Sequence, residues 1–150
     1  MTSARHLRRT LARAIAHDGG AAAVEFALVL PLLLMLVLGA IDWGWYFFLR
    51  EVVTNASREG ARAGAVTITE SPADFPLVTD AAENAANDYL TNLGLSGNHA
   101  VATTSGANVY EVSVVVTYPV GSITGFTLPG YASLVPTQIQ ATTQMRIEGY

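Results

Sequence analysis

Across 150 residues the side chains able to do nucleophilic, metal or acid–base chemistry are sparse and scattered. There is no Cys, and all eight basic residues are Arg, which excludes thiolate sites, Cys nucleophiles, Schiff-base lysines and Walker-type loops. Of the three His, His6 and His17 lie in a basic N-terminal stretch, and His99 beside Asn98 reads as a solvated turn residue. Gly94-Leu95-Ser96-Gly97 lacks the spacing of a nucleophile elbow and reads as a helix-ending turn. Glu70, Asp74, Asp80, Glu83 and Asp88 lack the interval of a calcium loop and read as a solvated acidic face. Asn55-Ala56-Ser57 matches a glycosylation sequon, but it falls within a helical pattern and is discounted. The expectation is a protein with no catalytic constellation, no metal site and no cofactor. One carboxylate stands apart. Glu25 has apolar neighbours on both sides, where an acid costs about 2.5–3.5 kcal/mol at the centre of a membrane helix. Such a residue has either a recognition or assembly role, or an interfacial one favoured by the dipole at a helix start.

The elements that must carry Glu25 are read from composition. Half of the chain (51%) is hydrophobic and 13% is charged, a balance too apolar for disorder. The net charge of −4 conceals a segregation. Arg5, Arg8, Arg9 and Arg13 make residues 1–20 basic, whereas residues 65–150 hold Arg146 alone among seven acids. A head that acidic, with no basic patch, excludes nucleic acid as a partner.

Between Ala21 and Leu49 the only residues that are not apolar are Glu25, Pro31, Gly39, Asp42 and Gly44. At 1.5 Å per residue, a helix over Phe26–Leu49 reaches about 35 Å, enough to span a bilayer with some tilt. Trp43, Trp45, Tyr46, Phe47 and Phe48 gather at one end, as an interfacial aromatic belt would. The Arg distribution around the span favours a cytoplasmic N-terminus and an acidic head outside, with membrane lipid as a partner. A cleavable secretory signal is the competing reading, but the apolar run is longer than such signals and Glu25 and Pro31 interrupt it. Pro31 removes a backbone hydrogen bond, and a bend or a melted turn is expected there.

A basic leader, then Gly20, then a hydrophobic helix with Glu25 at the fifth place resembles the processing site of type IV pilin-like precursors. Cleavage after Gly19 would put Glu25 sixth, so Gly20–Ala21 is the preferred bond. Gly19-Gly20 followed by three Ala also supplies the flexible, open peptide a membrane peptidase needs. The resemblance extends over Gly20–Ala65. The AAVEFALVLP opening, the Asp42-Trp43-Gly44 step and Asn55-Ala56-Ser57-Arg58-Glu59-Gly60-Ala61-Arg62 together resemble the TadE-like family of pseudopilins, minor pilins of tight-adherence (Flp-type) pili. That resemblance implies a prepilin peptidase, a major pilin, other minor pilins and an inner-membrane assembly platform as partners. It also implies a bacterial inner-membrane location with the head periplasmic or extracellular, and a pairing of Glu25 with the new Ala21 ammonium of a neighbouring subunit. The alternative is a single-pass anchored envelope protein whose head binds a ligand or partner without any pilus role.

The remaining pattern gives an α+β fold: a long pilin-like N-terminal helix, a second helix and a small antiparallel sheet. Three parts are expected: a leader over 1–20, a helix over 21–64 with its span at about 26–49, and a head over 65–150. Val52, Val53, Ala56, Glu59, Gly60 and Ala63 recur at helical spacing, and Ala56, Gly60 and Gly64 form a small-residue ladder. Spacing leaves open whether that ladder packs on the protein's own sheet or on another subunit. Asp42, Asn55, Arg58, Glu59 and Arg62 are candidate packing residues of the same helix. Thr67–Pro76 reads as a loop, and Thr79 as the cap of a helix over Asp80–Leu93 ended by Gly94. Strands are expected at Ala100–Thr104, Asn108–Tyr118 and Gln138–Glu148, with Tyr110, Val112, Val114, Val116 and Tyr118 on one face. Gly121–Pro136 reads as a long connection whose Ile123, Phe126, Leu128, Tyr131 and Leu134 pack down or touch a partner.

Overall fold

The computed structural model describes residues 18–67, 74–95, 97, 99–105, 110–125 and 136–147. The basic leader through His17, together with Glu70, Pro72, Ser96, Asn98, Phe126, Leu128, Tyr131, Leu134 and Glu148, lies outside the described residues. The element order is α1 (Asp18–Ala65), α2 (Phe75–Asn92), β1 (Ala100–Ser105), β2 (Glu111–Pro119) and β3 (Gln138–Arg146). This is an α+β fold with a long apolar N-terminal helix, a second helix and one three-stranded antiparallel sheet in the order β1-β2-β3.

α1 is a single 48-residue helix that runs through Pro31 without the melted turn that was one of the two outcomes expected there. One lost hydrogen bond is outweighed by the long unbroken run of helix-forming Leu, Met and Ala around it. α1 is long and apolar enough to cross a membrane. By packing, the chain divides inside this helix into a unit ending at Ala40 and a compact head from Ile41 onward.

The head core draws on both helices and the sheet, with Ile139 of β3, Leu95 and Ile147 among its buried members. α1 supplies Leu49, Val52, Val53, Ala56, Ala61 and Ala65; α2 supplies Val78, Ala82, Ala86 and Leu90; β2 supplies Val112, Val114 and Val116. The α1 residues recur at three-to-four spacing because only one helical stripe faces the sheet. The fully buried valines of β2 alternate because they share the face of the sheet turned to the core, while Ser113 on the other face of this central strand is also buried. Leu49, at the end of the span read from sequence, is 1% exposed and belongs to this core. Register pairs Val114 with Thr103 on one side and Thr143 on the other, so the buried face of all three strands is continuous.

Two boundaries differ from the sequence reading. α2 begins at Phe75, not Asp80, because Pro76 occupies the first turn, where a missing N–H costs nothing and the fixed φ suits the helix. Thr79 is therefore inside α2, and its hydroxyl donates to the Pro76 carbonyl (2.7 Å). β2 starts at Glu111, which leaves Tyr110 in a turn and 42% exposed, not on the buried face; its carbonyl accepts the Ile147 N–H (2.7 Å). At the other end of α2 the Gly94 reading holds. Gly94 has φ +74°, its N–H donates to Thr91 O (2.9 Å), and the Leu95 N–H donates to Leu90 O (3.0 Å). This double closure buries Leu95 over Leu90, the apolar contact that accompanies such a stop.

Candidate functional site

Gly20, Ala21 and Glu25 all lie on the first two turns of α1 and are exposed. The Gly20–Ala21 bond is thus helical in the full chain, where the sequence had suggested an open peptide. The helix is intrinsically weaker here, since each Gly costs roughly 1 kcal/mol relative to Ala. Among the described residues a Cβ at Gly20 would meet nothing within 4 Å, so their packing does not dictate Gly there.

The exposure of the following residues has no preferred side. Leu32, Leu33, Leu34, Met35 and Leu36 are consecutive and all exposed. At 100° per residue they cover the whole circumference, a helix apolar all round.

Asp42 is a different kind of carboxylate. It is 7% exposed and holds a turn some eighty residues away in sequence. Its Oδ2 accepts from the Ser122 (2.7 Å) and Thr124 (3.0 Å) hydroxyls, and its Oδ1 accepts from the Ile123 and Thr124 N–H groups (3.1 Å each). Two backbone donors and two hydroxyls converge on one carboxylate, which is the arrangement of a structural anchor. Around it stand the aromatics, with Trp43 edge-on to Tyr46 (5.6 Å) and Trp45 stacked on Phe48 (5.3 Å).

The Asn55–Arg62 segment divides by face. Ala56 and Gly60 are buried, as is Gly64 beyond it, whereas Arg58 is exposed. Asn55 Nδ2 donates to Glu51 Oε1 (3.2 Å), and Arg62 Nε donates to Glu59 Oε2 (3.1 Å) in an exposed pair. The hydrogen bond from Arg62 holds the Glu59 carboxyl below its ordinary pKa, and the pairing raises that of Arg62. The glycines are used within the chain. A Cβ at Gly60 would come 2.8 Å from the Ala82 carbonyl oxygen and 3.2 Å from Val114. One at Gly64 would come 3.1 Å from the Ala82 Cβ and 3.2 Å from Val112. The ladder lets α1 approach α2 and β2 closely, which decides between the two partners that spacing left open.

Several positions carry roles that sequence reading missed. Ser57 is fully buried and ties α1 to β3 through Thr143 Oγ1 (2.8 Å) while donating to Thr54 O (2.8 Å). Glu83 of α2 accepts the Thr103 N–H (3.2 Å), closing one backbone donor of β1. His99 is half-buried, 2.8 Å from Asn87 Oδ1 and stacked on Tyr118, not a solvated turn residue. The fold brings an aromatic face and an amide to it that lie far off in sequence. An open cleft of about 500 Å³ is lined by Tyr46, Arg50, Thr54, Pro136 and Gln138–Thr142. Among the described residues no group of three or more His, Asp or Glu is placed to hold a metal ion.

Neither a curated protein nor a solved structure matches the chain. A family model does: residues 20–62 match the model described as TadE-like protein. That match opens at Gly20, spans Glu25 and Asp42, and closes at Arg62. Over residues 20–62, within α1, the chain is thus similar to TadE-like proteins.

Proposed function

We propose that this chain is a minor pilin, of the pseudopilin type, of a tight-adherence pilus. In this reading a prepilin peptidase cuts the precursor between Gly20 and Ala21, α1 holds the product in the bacterial inner membrane, and the head stands on the periplasmic or extracellular side. The observation that carries it is Glu25, five places after Gly20, exposed on a helix that is apolar on every side and lies within the TadE-like segment. Cleavage creates an ammonium at Ala21. Opposite charges in a low-dielectric medium attract strongly and offset each other's desolvation. Glu25 then sets the register of one subunit against the ammonium of the next, in contact with the major pilin, other minor pilins and the assembly platform.

N-terminal sequencing of the protein recovered from native membranes tests this. The expected first residue is Ala21. A chain that still begins at Met1 or Thr2 returns the protein to a plain membrane anchor, and a start near Ala40 makes the helix a secretory signal. The anchored-receptor alternative draws on the cleft beside β3, where Arg50 and the Gln138 and Gln140 side chains offer polar contacts. It requires an uncut Gly20.

A further inference from the structure

The turn held by Asp42 leaves one large apolar side chain outward: Ile123, 56% exposed between the hydrogen-bonded Ser122 and Thr124. Because its N–H donates to Asp42, the Ile123 backbone lies at the level of Asp42 along α1, one residue before the aromatic run begins. Trp43, Phe47 and Phe48 are themselves 37%, 56% and 45% exposed. Ala21–Ile41, at 1.5 Å per residue, is about 32 Å of helix, close to the ~30 Å of a hydrocarbon core. Asp42 then marks the outer edge of the membrane.

We propose that the turn Ser122–Gly125 is a foot that seats the head on the lipid surface, with Ile123 dipping into the boundary between headgroups and acyl chains at the depth of the aromatic belt. The inference rests on the reading that α1 crosses a bilayer. Lipid, and not a partner helix, is the occupant because the apolar surface leading up to this level is exposed on every side, whereas one packed helix covers a stripe. The chemistry of the turn fits that place. Bringing free N–H and O–H groups to the edge of hydrocarbon is costly, but the Ser122 hydroxyl, the Ile123 N–H and both the N–H and the hydroxyl of Thr124 already donate to Asp42. The next charged residue is Arg50, exposed and about 12 Å further along the helix, from which its long side chain can lean back toward phosphates.

The absence of Cys makes the test direct. Full-length Ile123→Cys carries an environment-sensitive fluorophore in phosphatidylethanolamine–phosphatidylglycerol vesicles doped with lipids spin-labelled at the headgroup, high on the acyl chain or near its end. The two shallow labels are expected to remove about half of the emission and the deep label little, as for a side chain at the interface. Leu33→Cys should respond most to the deep label, and Thr104→Cys, on the open sheet face, to none. Adding Asp42→Asn to Ile123→Cys should lower the shallow quenching, since the foot loses its hold. If Leu33→Cys is quenched and Ile123→Cys is not, the foot is refuted while the span stands. If Ile123→Cys is blue-shifted yet unquenched, a protein surface covers it, and the lipid assignment fails. If neither position responds, the span fails and the foot with it.

Discussion

Removing the Asp42 carboxylate takes away the common acceptor of two backbone N–H groups and two hydroxyls. Water can reach part of that turn, so Asp42→Ala should destabilise the head by about 1–3 kcal/mol and not unfold it outright. Denaturant unfolding in detergent, followed by the Trp43 and Trp45 emission, measures this, and an unchanged midpoint would show that the turn holds itself. The exposed Glu59–Arg62 pair makes a smaller, pH-dependent contribution. The folded-state pKa of Glu59 is lowered, so its stabilisation is present above the ordinary glutamate pKa and lost as pH falls through the depressed value. Glu59→Gln should lower stability slightly at neutral pH, where the pair is formed, and converge with the parent at acidic pH, where Glu59 is protonated in both states. A difference confined to alkaline pH would contradict the assignment. Neither Asp42's partners nor the setting of His99 could be read in advance. Each depends on residues brought together by the sheet, and a Ser-x-Thr turn bounded by glycines gives no hint of which carboxylate it will meet.

At the scale of elements, α1 tolerates side chains unevenly. Gly44 has open space where a Cβ would stand, whereas at Gly60 that atom would press on the Ala82 carbonyl, a backbone atom that cannot swing aside. Gly60→Ala is expected to cost about 1–3 kcal/mol through overpacking, and Gly44→Ala to stabilise by about 0.5–1 kcal/mol through backbone entropy. Paired unfolding measurements check the opposite signs, and equal effects would mean that α2 does not approach α1 so closely. The elements themselves were largely legible. An apolar run of that length admits little but a helix, and the alternation of Val112, Val114 and Val116 admits little but a half-covered strand. The start of α2 was not legible, since Pro76 followed a loop-like stretch and proline both breaks helices and opens them. The partner of the glycine ladder was equally closed to spacing, which records only that something comes near.

For the molecule as a whole, the proposed pilus role separates membrane insertion from assembly. Glu25 is exposed and lies outside the unit that holds the head core, so Glu25→Ala should leave insertion and folding intact while abolishing co-purification with pilus subunits. Pull-down from solubilised membranes reads this, and undiminished recovery of pilins would remove the register role.

The continuity of α1 has a mechanical consequence. The helix does not stop where the head starts; it enters it, and Leu49, Val52, Val53, Ala56, Ala61 and Ala65 are packed along about 24 Å of its length. A pull on the part of α1 within the head, from Leu49 to Ala65, is spread over its whole packed face. It is carried in shear by every one of those contacts together, with the Ser57–Thr143 bond across them, so the load is not concentrated on the first contact to peel away. Within the head, tension on this stretch of helix passes to the sheet through many contacts at once, so the helix and the sheet yield together or not at all.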